Sequence, residues 1–221
     1  MRIRIWDAPI RLVHWALVIT IAISWWTAEQ GELEFHRYSG YTLLGLLLFR
    51  IYWGFAGTTT ARFANFVKGP RAILAYLRIL PKRVHDHAPA VPGHNPLGAL
   101  SVIALLALLL LQVGLGLFAV DVDGIESGPL SSLVSFSTGR ACARLHDDVF
   151  DVLLVFIGLH IAAVLFYLLY KRDNLIRPMI TGTREVAPDA AIEPVRTPIA
   201  RLIIGIVTAV AGTWIITQVL G

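Results

Sequence analysis

The sequence predicts an all-α membrane protein, a bundle of transmembrane helices, on three observations. Of its 221 residues, 56% are hydrophobic and only 15% are charged, whereas soluble domains carry about 25% charged residues. Mean hydropathy is +0.68. The apolar residues gather in five stretches, each close to the ~20 residues that cross a hydrocarbon core as a helix. A soluble enzyme or a nucleic-acid-binding domain is excluded by this balance, despite a net charge of +4. The single cysteine, Cys142, excludes an internal disulfide, a cysteine zinc site and a covalently attached haem.

The first stretch runs from 12 to 28 and contains His14. No small-residue cleavage site follows it, so it reads as a retained span and not a signal peptide. The second runs from 38 to 56, interrupted by Arg50. The third, 97 to 120, carries no formal charge. The fourth, 149 to 170, holds Asp151 near its start and His160 in its middle, and the fifth runs from 202 to 220. Between the second and third, residues 61–80 mix Phe63, Phe66, Ile73, Leu74, Tyr76 and Leu77 with Lys68, Arg71 and Arg78. That mixture suits a short helix lying among lipid headgroups. Residues 81–96, with prolines at 81, 89, 92 and 96, read as an extended linker.

Charge sets the expected orientation. Fifteen of the 19 basic residues fall before span one, between spans two and three, or between spans four and five; Arg37, Arg140 and Arg144 fall on the other side. The positive-inside rule then places the N-terminus and both basic connections in the cytoplasm and the C-terminus outside. The other face is acidic, with Glu29, Glu32, Glu34, Asp121, Asp123, Glu126, Asp147 and Asp148. The basic pI thus follows from topology, with lipid as the surrounding partner and no nucleic acid.

Ionisable residues inside a span are costly and point to function. His14 and His160 lie within spans one and four, and His36 and His146 stand at the outer ends of spans two and four; the bland alternative for each is a hydrogen bond to a carbonyl between helices. His146 and His160 are 14 residues apart, about 21 Å of helical rise and within ~40° of four whole turns. Both therefore leave one face of one helix. With alternating spans, His14 comes level with His160, and His36 with His146. Paired neutral imidazoles suit the two axial positions of haem iron, and two such levels form an electron path across the bilayer. Gly40, Gly45, Gly114, Gly116 and Gly158 would let backbone approach a flat ring. Arg50, 14 residues after His36, is a candidate partner for a haem propionate, with snorkelling to the interface as its alternative.

The sequence resembles the bacterial cytochrome b561 family, in the branch of the b-type cytochrome subunits of nickel–iron hydrogenases. The resemblance is carried by W-D-A-P-I-R-L-V-H-W at 6–15, F-H-R-Y-S-G-Y at 35–41, L-F-R-I-Y-W-G at 48–54 and G-H-N-P-L-G at 93–98. It continues through L-H-D-D at 145–148, G-L-H-I-A-A-V at 158–164 and N-L-I-R-P-M-I-T-G at 174–182. It implies a four-helix dihaem core over 1–182, with two haem b groups. His14 would pair with His160 on the cytoplasmic haem, and His36 with His146 on the outer one. Residues 183–221 fall outside the match and are expected to be a linker and a fifth helix. Members exchange electrons between quinone and a redox protein, here a hydrogenase or a c-type cytochrome in a hetero-oligomer.

His94, Asn95 and Arg11 are candidates for a quinone site near the cytoplasmic haem, although His94 and Asn95 would equally serve as a cap for span three. His85 and His87, with Asp86, are a weak metal candidate. Two further functions compete. One is a self-contained oxidoreductase that oxidises superoxide and reduces quinone, which the acidic outer face disfavours. The other, a haem-free transporter or structural subunit, leaves the two level histidine pairs without a reason.

Overall fold

The protein is described by a computed structural model covering residues 2–80, 93–123, 126–185 and 195–220. Most of the proline-rich linker and the His85–Asp86–His87 group lie outside the described residues. Helix α1 (Ala8–Glu29) begins where Asp7 caps it, the carboxylate accepting from the backbone N–H of Ile10 at 2.7 Å, with proline in the first turn. A tight connection through Gly31, at φ +72°, turns the chain back into α2 (Leu33–Ala56). The two pack side by side as an antiparallel hairpin.

The segment expected as one interfacial helix is divided. A short α3 (Phe63–Phe66) and an amphipathic α4 (Pro70–Ile79) flank an extended break at Val67–Gly69. Pro70 explains the break, because the residue before a proline is pushed out of the helical region. None of the α4 residues is buried, and Leu74, Leu77 and Ile79 are exposed, as an interfacial helix requires.

Helix α5 (Pro96–Phe118) is capped by Asn95. Helix α6 (Phe136–Leu169) has 34 residues, about 51 Å of rise, and starts well before the expected position 149. Hydropathy hid its first turns, because Arg140, Arg144, Asp147 and Asp148 are compatible with helix but not with hydrocarbon. After a short α7 (Ile176–Thr181), Gly182 at φ +81° ends the helix. The chain then forms a strand β2 (Thr183–Glu185) that pairs antiparallel with β1 (Arg2–Arg4). Helix α8 (Ile199–Trp214) continues as a π turn over Ile215–Val219.

Among the described residues, four helices, α1, α5, α6 and α8 with its extension, are long and apolar enough to cross a membrane. Helix α2, at 24 residues, is long enough to cross as well but is less apolar, and it occupies the centre. Leu43, Leu44, Leu47, Phe49, Arg50 and Trp53 are all buried on it, and α1, α5 and α8 pack around it. A central helix needs fewer lipid-compatible residues than a peripheral one.

Two apolar clusters hold the bundle. One sits at the basic end, where Ile3, Ile5, Trp6, Ile10, Phe49 and Trp53 meet. The other lies at mid-depth around Leu43, Leu47, Leu106, Leu109 and Leu153. Helix α8 packs on α2 through close approaches at glycines. A Cβ on Gly205 would stand 2.6 Å from the Tyr52 ring, and one on Gly45 would stand 3.2 Å from the Thr213 hydroxyl.

Candidate functional site: two histidine pairs in a helical cleft

Helix α6 lies along α5 and makes no extended backbone contact with α1 or α2 among the described residues. Four imidazoles project into the space between them, in two pairs. The rings of His36 (α2) and His146 (α6) have centroids 6.0 Å apart at an interplanar angle of 85°. Those of His14 (α1) and His160 (α6) are 6.5 Å apart at 53°. The structure thus brings His36 beside His146 and His14 beside His160.

The ring orientations follow from backbone partners. His146 Nδ1 lies 2.9 Å from the carbonyl of Gln112, and His36 Nδ1 lies 2.8 Å from the carbonyl of Ser24. A carbonyl only accepts, so in both rings Nδ1 carries the proton and the Nε2 lone pair is free. This is the arrangement that metal-binding histidines adopt. His160 Nδ1 lies 3.4 Å from the Ser101 hydroxyl, while His14 Nδ1 is buried without a partner.

The glycines divide by helix face. A Cβ on Gly116 would sit 3.1 Å from His146 Cε1, so that glycine makes room for the ring. Gly40, one turn beyond His36, faces open space. Gly45 instead packs on α8. Gly114 lies two residues from Gly116, and Gly158 two from His160, which puts each about 200° round its helix from the cleft.

At the basic end, Arg50 is only 7% exposed, with Nη1 unpartnered and its guanidinium 5.0 Å over the Phe63 ring. It does not snorkel. His94 packs between Trp6 and Phe66, at 4.8 and 4.5 Å, and its Nδ1 is buried without a partner. Burial, reinforced by Arg50, His160 and His14 nearby, lowers its pKa from 6.5 to about 4, so it is neutral. Asn95 caps α5 and donates to the Tyr167 hydroxyl at 3.1 Å, which is in turn bonded to Tyr76. Arg11 donates to the carbonyls of Asp7 and Ile180, joining the start of α1 to the last turn of α7. Of the three residues expected at a quinone site, His94 is the one with an unpartnered buried nitrogen.

Two further residues shape this region without standing out in the sequence pattern. Asp7 is fully buried; one carboxylate oxygen caps α1, and the other accepts from Trp53 Nε1 (2.9 Å) and Thr58 Oγ1 (2.7 Å). Its signal was available: an aspartate directly before Ala-Pro is a helix-start pattern. Gln112, 8% exposed, carries the carbonyl that orients His146. A lone glutamine in a span without charges is itself a costly polar group.

A family model for prokaryotic cytochrome b561 matches residues 5–182. The chain belongs to that family. It is therefore an integral membrane b-type cytochrome that takes part in electron transfer. Two relatives, from Azotobacter chroococcum mcd 1 and Azotobacter vinelandii, are each named a probable Ni/Fe-hydrogenase B-type cytochrome subunit. Each is 23% identical, over 84% of this chain and 89% of its own length. No solved structure matches the chain at comparable significance. The family match ends just before β2, so the connection to α8 and α8 itself lie beyond it.

Proposed function

We propose that this chain is a dihaem cytochrome of the bacterial inner membrane that carries electrons between a periplasmic redox protein and quinone. The observation that carries this reading is the separation within the two imidazole pairs. Two metal–nitrogen bonds of about 2.0 Å, plus the distance from each nitrogen to its ring centre, sum to about 6 Å. The centroid separations are 6.0 and 6.5 Å. Among the described residues no group of three or more metal-binding side chains occurs, which favours sites that two histidines would hold over a bare-ion cage. Haem b, when bound, supplies one-electron chemistry at its iron.

The protein's own residues fix everything else. The carbonyls of Gln112 and Ser24 hold His146 and His36 as Nδ1–H tautomers, leaving Nε2 to ligate. Gly116 admits the His146 ring. Arg50, buried and with a donor unsatisfied, receives a propionate at the basic end, where burying a guanidinium otherwise costs several kcal/mol. His14 and His160 ligate at that level, about 21 Å along α6 from the other pair. His94, neutral and with a free ring nitrogen, faces the same region and bonds the quinone.

The acidic end receives the redox partner, and the names of the two relatives support a hydrogenase as that partner. Arg37, a basic residue of this end, is tied to Glu126 at 3.0 Å, which leaves little positive field for an anionic substrate such as superoxide. Single replacements test the assignment. His36→Ala and His146→Ala should each remove one haem, and His14→Ala and His160→Ala the other, as read in low-temperature α-band spectra. Retention of both haems in all four variants overturns the pairing.

A further inference from the structure

Where α2 ends and α8 begins, the surface carries an open cavity of about 590 Å³, lined by Thr58, Thr59, Arg62, Arg196, Pro198 and Arg201 among others. Three guanidinium groups share it, and no carboxylate lies within ion-pair distance of any of them among the described residues. The Arg62 Nε is buried with no hydrogen-bond partner, as is the hydroxyl of neighbouring Thr60. Arg201 gives one donor to the Ala56 carbonyl at 3.3 Å, leaving its other N–H groups for the cavity. Helix α8 starts here on Pro198 and has no side-chain cap. Its first N–H groups and the positive end of its dipole therefore add to the same field. Clustered cations with unsatisfied donors fit an anion with several acceptor oxygens, and arginine forks fit phosphate in particular.

The surroundings decide which phosphate. The cavity lies at the ends of α2 and α8, hence at the level of the headgroups. From its rim an exposed apolar stripe descends α8 through Ile199, Ile203, Val207, Val210 and Trp214, each more than half exposed. We infer that the cavity holds the headgroup phosphate of one anionic phospholipid, whose acyl chains lie along this stripe. Basic pockets between membrane helices recognise lipid headgroups in this way. The site is separate from the histidine pairs and gives α8 a task beyond packing on α2.

Native mass spectrometry of the purified full chain, in nanodiscs of phosphatidylcholine with or without phosphatidylglycerol, tests this without any haem readout. The wild type should retain phosphatidylglycerol in preference to phosphatidylcholine. Affinity should fall roughly fivefold for each arginine removed, about 25-fold in the double variant Arg62→Gln/Arg196→Gln. Arg78→Gln, a basic residue outside the cavity, should change nothing, and Arg196→Lys should recover part of the loss. Circular dichroism confirms that each variant is folded. If the double variant does not fold, Arg196→Gln alone, on an exposed loop residue, gives the same comparison. The inference fails if both lipids are held equally or if Arg78→Gln weakens binding as much as the cavity variants. Displacement of phosphatidylglycerol by inorganic phosphate would also overturn it, in favour of a soluble anion.

Discussion

Asp7 accepts three hydrogen bonds in a fully buried position, and those bonds join the start of α1 to the end of α2 and the turn that follows. Replacing it with alanine removes a helix cap and strands the Trp53 and Thr58 donors where water cannot reach them. The cost should be about 2–4 kcal/mol, measured as a lower midpoint in detergent-induced unfolding. Asp7→Asn, which keeps an acceptor, should cost less. At this scale the sequence was informative about cost and poor about direction. Four histidines announced themselves because an ionisable group in hydrocarbon needs a reason. The five glycines suggested around a cofactor could not be assigned to helix faces without knowing which neighbour each face meets. Only Gly40 and Gly116 share a face with the cleft.

The elements were legible wherever hydropathy and helicity coincide. They diverged at the start of α6, where charged residues extend the helix outside hydrocarbon, and at α3–α4, where Pro70 divides an amphipathic run. The β1–β2 pair was missed altogether, although Arg2-Ile3-Arg4-Ile5 alternates with strand period. Ile3 and Ile5 are buried, and Arg2 and Arg4 are exposed. Pairing partners 180 residues apart leave no local trace. The docking of α8 on α2 was also beyond reach, because interhelical contact through glycine looks in sequence like any small residue in a span. Gly205→Leu should separate the two helices and destabilise the protein by about 1–3 kcal/mol through overpacking. The four histidines, all on α1, α2 and α6, should keep their ligation. Thermal unfolding together with the haem spectrum would read both.

For the whole molecule, the segregation of basic and acidic ends gives an orientation that the lone cysteine can report. Cys142 is a free, part-exposed thiol on α6, one turn before His146 and at the acidic end. In the orientation proposed from the positive-inside rule, that end faces the periplasm. A membrane-impermeant maleimide should therefore label Cys142 in intact spheroplasts, without lysis. Labelling only after lysis reverses the orientation and, with it, the side on which the redox partner docks.

Two imidazole pairs are proposed to hold two haems in one chain. The pyridine haemochrome of the purified protein, referred to amino-acid analysis, tests it most directly. Two b-type haems per chain, both reducible in a reduced-minus-oxidised spectrum, are predicted. A stoichiometry of one haem, or none, in protein purified with its membrane spans intact would contradict it.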